Sequence, residues 1–142
     1  MASNNLSMRC NAAQSLVPAT RTATGNGTGI STVGYGHLLA ILNVGTVTGT
    51  TPTLDVTLEE SDTVGGTYVA ITGAAFTQVT ATPSTATATP KVGVNLVPGV
   101  RKAFIRAVAT IGGTSPSFPS AVTFVLGPSI DTVNITAANA NV

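Results

Sequence analysis

The sequence predicts an all-β protein: an antiparallel β-sandwich of about seven strands, immunoglobulin-like or jelly-roll-like, with extended terminal arms. Three observations predict it. Apolar and polar residues alternate with period two in several stretches, as in half-buried strands. Gly and Pro, 15 and 8 in number, cut these stretches into short lengths at turn-like spacing. No stretch carries convincing helical periodicity. The 142 residues suit one domain with a two-layer core. The expected division is an N-terminal arm over 1–13, a sandwich body over 14–127 and a C-terminal arm over 128–142.

Taken in order, residues 1–13 are polar and patternless. QSLVPATRTA (14–23) reads as a first strand, placed at an edge or bulge because Pro18 has no N–H to donate. GNGTG (25–29) reads as a loop. Its spacing is not that of a dinucleotide-binding loop, and no strand–loop–helix context surrounds it. HLLAILNV (37–44) is almost wholly apolar, and its length and flanking Gly favour a central strand buried on both faces. GTVTGTTP (45–52) reads as a turn-rich connector.

The stretch 53–79, TLDVTLEESDTVGGTYVAITGAAFTQV, is the clearest local structure. Leu54, Val56 and Leu58 share one face; Asp55, Thr57 and Glu59 share the other. Asp62-Thr63-Val64-Gly65-Gly66 makes the turn, and Tyr68, Val69 and Ile71 run back as the partner strand, with a kink at Gly73. The low-complexity 80–89 reads as a loop or exposed edge. Residues 91–97 alternate again, with Val92, Val94 and Leu96 on one face. Pro98-Gly99 suits a type II turn. AFIRAVATI (103–111) is a strand, GGTSPS (112–117) a turn and FPSAVTFVL (118–126) the closing strand. The core candidates are Leu54, Val56, Leu58, Val94, Ile105, Ala107, Ile111, Val122 and Phe124.

Only 8% of residues are charged, against about 25% in an average domain, and the net charge is +1. That balance gives no electrostatic basis for binding nucleic acid or an anionic membrane. Low charge in a β-rich chain favours pairing at sheet edges, which suits a protein packed against others. The single cysteine, Cys10, excludes an intrachain disulfide and is compatible with a reducing cytoplasm. The start of the chain has no apolar segment of signal-peptide type, and the longest apolar run, 38–42, is too short to span a bilayer.

Catalysis has little raw material. The one histidine, His37, heads the most apolar strand and has no positioned partner, so it reads as a structural or interface residue. Glu59, Glu60 and Asp62 gather at the hairpin end and offer some of the oxygens a hard cation needs; a solvated turn is the simpler reading, and no metal or cofactor is assigned. Arg101, Lys102 and Arg106 form a matching basic cluster. If the strands are neighbours, Arg106 faces Glu59 or Asp55; otherwise these charges meet a complementary partner surface. The candidate partner interface is therefore His37, Leu39, Ile41, Glu59, Glu60, Asp62, Arg101, Lys102 and Arg106. The Asn-x-Ser/Thr triplets at Asn5, Asn26 and Asn134 occur at about the rate chance gives in so Ser/Thr-rich a chain and carry little weight.

Four stretches together resemble a group of small structural proteins of tailed bacteriophages and prophages. They are QSLVPATRTATGNGTGIS (14–31), 42–80 with the hairpin at its centre, VGVNLVPGVRKAFIRAVATIGGTSPSF (92–118) and VTFVLG (122–127). The resemblance spans roughly 14–127 and is carried most by the hairpin and by KAFIRAV (102–108). It implies a capsid decoration (cement) protein that binds the assembled shell through the major capsid protein. It further implies a homo-oligomer, trimer or dimer, made in the host cytoplasm and located on the virion, with no nucleic-acid or membrane partner and no enzymatic activity. The arms would add strands to a neighbour's sheet. Two alternatives stay open: another virion component (tail tube, head–tail connector or fibre-associated domain), and an immunoglobulin-like module that attaches to host surfaces.

Overall fold

The structure, a computed structural model, describes residues 9–83 and 91–128. Residues 1–8, 84–90 and 129–142, which include most of both expected arms, lie outside the described residues. Among the described residues there is no helix. The strands are β1 (Asn11–Arg21), β2 (Gly25–Asn26), β3 (Ile30–Ser31), β4 (Tyr35–Val44), β5 (Thr48–Ser61), β6 (Val69–Ala75), β7 (Lys91–Asn95) and β8 (Phe104–Pro128). They form one antiparallel eight-stranded sheet, rolled until it is nearly a barrel.

β8 is the axis of this arrangement. Its first part pairs with β5 on one side and with β2 and β3 on the other. Its second part runs between β1 and β4. β6 extends the sheet beyond β5, and β7 extends it beyond β4. The expected pair of strands with a turn at 112–117 is thus corrected to one continuous 25-residue strand. The Gly and Pro there serve a bend instead of a reversal. Gly113 has φ +107° and Ser115 φ +48°, while the facing strand has Gly49 at φ +119° and Thr51 at φ +47°. The register slips between Thr48 and Thr50 and again between Thr50 and Thr53. Two facing irregularities let β5 and β8 turn the corner together, as bulges do in rolled sheets. A Cβ at Gly113 would lie 2.6 Å from the Thr51 carbonyl oxygen and 2.9 Å from the Pro52 Cα, so the close approach requires glycine.

The same bend corrects the expected connector at 45–52. β5 starts at Thr48, and only 45–47 link it to β4. β1 likewise begins at Asn11, inside the expected N-terminal arm, and Pro128 still belongs to β8. Pro18 falls where the β1 register shifts between Leu16 and Ala19, as its missing N–H demands. The hairpin is present as expected: Glu60 pairs with Val69 and Glu59 with Ala70, and Gly73 has φ +80° at the kink. The Val97–Val100 turn closes with the Val100 N–H on the Val97 carbonyl at 3.1 Å, and Gly99 has φ +79°, as type II requires.

Inward positions alternate along β4, the second part of β5 and the two ends of β8. Leu38, Ala40 and Leu42 (β4), Leu54, Val56 and Leu58 (β5), Ile105, Ala107 and Ala109, then Val122, Phe124 and Leu126 (β8) form one buried cluster. Of the expected core, only Ile111 is half-buried. β4 is central, between β7 and β8. Its expected two-sided burial is corrected, however: His37, Leu39 and Ile41 are only half-buried and point away from the core, because the strand is covered by the barrel interior on one face only.

One side of the roll is closed by a seam rather than a ladder. Ser15 sits in the β1 irregularity and turns inward. Its Oγ donates to the Thr28 carbonyl at 2.8 Å and accepts from the Ala107 N–H at 2.8 Å. The Ser15 carbonyl accepts from the Thr28 N–H at 2.7 Å, and the Gly27 N–H donates to the Ala107 carbonyl at 2.8 Å. Gly27 is packed so tightly here that a Cβ would lie 2.6 Å from the Ser15 carbonyl oxygen. Loop 27–29 thereby links β1 to the first part of β8.

Candidate functional site

The six charged residues of the expected interface come together along the hairpin and the start of β8. Register places Glu59 opposite Arg106. The Arg106 guanidinium donates to Glu59 Oε2 from Nη2 at 2.8 Å and from Nε at 3.1 Å, and its carbon lies 4.0 Å from the centre of the Tyr68 ring. A planar cation held by a carboxylate and stacked on an aromatic face is well fixed. Glu60 takes Arg101 Nη1 on Oε1 at 3.3 Å and the Lys102 backbone N–H on Oε2 at 3.1 Å. Lys102 Nζ donates to Asp62 Oδ2 at 2.8 Å. Asp55, the alternative partner considered for Arg106, instead accepts from Gln78 Nε2 at 2.9 and 3.0 Å.

Each described carboxylate therefore has a donor within the chain. Glu59, Glu60 and Asp62 have their first partners in Arg106, Arg101 and Lys102, the intrachain arrangement expected for Glu59 and Arg106 if their strands are neighbours. The reason is register, which brings the acidic end of β5 beside the basic start of β8. Among the described residues no group of three or more His, Cys, Asp or Glu side chains is arranged to hold a metal ion.

The Asp62 carboxylate, through its hydrogen bond and its charge, raises the pKa of Lys102 above the ordinary 10.5. The group binds its proton more tightly folded than unfolded, so its contribution to stability is complete below pH 10.5 and is lost as pH rises through the higher folded value. Lys102→Met should therefore narrow its difference in melting temperature from the parent when thermal unfolding is followed upward from pH 9 to beyond the folded pKa. A difference that stays constant would show that the pair does not act through this proton.

His37, Leu39 and Ile41 form a separate group. They lie on the outward face of β4, with His37 opposite Asn95 and Gly127, Leu39 opposite Gly93 and Val125, and Ile41 opposite Lys91 and Thr123. The structure does not bring this row into the charged cluster; the two flank different parts of β8. A cleft of about 320 Å³ lies between residues 32–35 and 96–103, with Tyr35 of β4 and the Arg101–Lys102 pair among its lining residues. Sequence reasoning missed it because Val33 lies in a turn outside any alternating pattern, Val97 sits at the very end of one, and no local signal brings the two segments together. Cys10, half-buried just before β1, takes no part in either group. No protein-family model and no curated protein matches the chain.

Proposed function

We propose that this chain is a capsid decoration protein of a tailed bacteriophage, which binds the assembled shell and stabilises it by bridging neighbouring subunits. The observation that carries the reading is the resemblance over 14–127, whose centre is the hairpin of β5 and β6. It is supported by the chemistry of the body. The described carboxylates are satisfied internally, and the outward row of His37, Leu39 and Ile41 is half-buried and mostly apolar. Such a surface suits contact with another protein more than turnover of a small substrate.

The proposal includes a two-layer body, immunoglobulin-like or jelly-roll-like, with the two parts of β8 in opposite layers. It also includes a dimeric or trimeric assembly on the shell, with the major capsid protein as partner. Many copies acting together would resist internal pressure by multivalent attachment. The test is heat resistance of purified shells with and without the protein, read alongside electron cryomicroscopy of the particle. Shells carrying the protein should survive to higher temperature and show its density on the outer surface. Equal heat resistance, or density confined to the tail axis, would overturn the reading.

A further inference from the structure

The large aliphatic side chains exposed among the described residues are Val17, Val33, Val64, Val69, Val97 and Val100, and two of them, Val33 and Val97, line the same cleft. Val33 is 70% exposed, Val97 50% and Val100 63%. Val33 stands in the turn before β4; Val97 and Val100 bound the type II turn after β7. The cleft of about 320 Å³ opens between these turns, with Tyr35 and Leu96 among its walls. Its lining includes two cations, Arg101 and Lys102, and no acid.

The Arg101 guanidinium is only partly used. Nη1 reaches Glu60 at 3.3 Å, long for a charged hydrogen bond, and Nε is buried with no acceptor among the described residues. An apolar hollow beside an under-engaged guanidinium matches an aliphatic side chain that carries a carboxylate close by. A ligand small enough to sit wholly inside the hollow would leave the outward surfaces of Val33 and Val97 in water. A polypeptide crossing the mouth would cover them.

We propose that this cleft docks an extended segment of a partner protein that presents an aliphatic side chain next to a carboxylate. The inference does not depend on the shell reading and survives its failure. It is tested by nuclear magnetic resonance on the full chain, with acetyl-Gly-Ile-Asp-Gly-amide as the probe. Saturable shifts should be confined to residues 32–35 and 96–103. Replacing the probe's aspartate by asparagine should weaken binding about five-fold, and Arg101→Lys, which keeps the charge but removes the fork, about three-fold. Val33→Asp, at an exposed turn position, should abolish binding and leave the remaining spectrum in place. The absence of saturable shifts up to about 10 mM peptide would overturn the proposal. So would equal affinity for the asparagine probe. Saturable binding of octanoate without any response to the peptide would overturn the choice of a polypeptide.

Discussion

Phe124→Ala is expected to lower the free energy of unfolding by about 3–5 kcal/mol, the range for truncating a buried aromatic. Phe124 is fully buried in the second part of β8. Its neighbours across the ladder are small: Ala13 on β1 and Ala40 on β4. The ring fills the space that two alanines leave, and neither can move in to occupy the cavity. Strands fixed on both sides of β8 also hinder collapse of the backbone into the hole. The check is a denaturant titration, in which the midpoint should fall with an unchanged slope. Val125→Ala is the control. Its side chain points outward and is half-buried, so its loss should stay near 1 kcal/mol. Equal losses for the two variants would mean that the inward and outward faces of this half of β8 are assigned wrongly.

Ser15→Ala is expected to cost about 3 kcal/mol, although it removes a single oxygen. That oxygen satisfies two backbone groups at once, the Thr28 carbonyl and the Ala107 N–H. Truncation leaves both without a partner, at roughly 1–3 kcal/mol for each buried group. Ser120→Ala supplies the contrast. Ser120 is also buried, but its Oγ donates only to the Phe118 carbonyl two residues away, and its loss should fall near 1 kcal/mol. Hydrogen exchange locates the effect: the Ala107 amide should exchange markedly faster in Ser15→Ala than in the parent, while amides of the β5–β6 hairpin keep their protection. Unchanged exchange at Ala107 would show that the seam is held by something other than the serine.

The parts of the fold legible in the sequence are those where one face is buried and the chain runs straight. Leu54, Val56 and Leu58 announce β5, and Ile105, Ala107 and Ala109 announce the start of β8, because period-two alternation is a direct print of burial. The hairpin turn and the Pro98-Gly99 turn were legible for a different reason, since their residues pre-set the backbone angles. The bend at 112–117 was not legible. Gly and Pro serve reversals and bulges alike, and only the facing irregularity at 49–53 distinguishes the two. Ser15 carries no signal either. A serine in a polar strand looks exposed until loop 27–29 is brought against it. For the candidate site, the pairing of Glu59 with Arg106 followed from treating the two strands as neighbours. The cleft could not be foreseen, because Val33 and Val97 lie in segments far apart in the sequence and are brought together only by the fold.

The central position of β8 also sets when the chain can fold. Asn11 is paired with Leu126, and Leu54 with Ile111, so the partners of β1 and β5 are made long after the strands themselves. During synthesis at about 5–20 residues per second, the β5–β6 hairpin and the β4–β7 pair are available early, whereas the strand that joins them arrives last. Until then the nascent chain holds several strands with apolar faces and no common partner. The completed body assembles around a template made after all the strands it joins, and its exposure to misassociation is concentrated in the interval before that template is made.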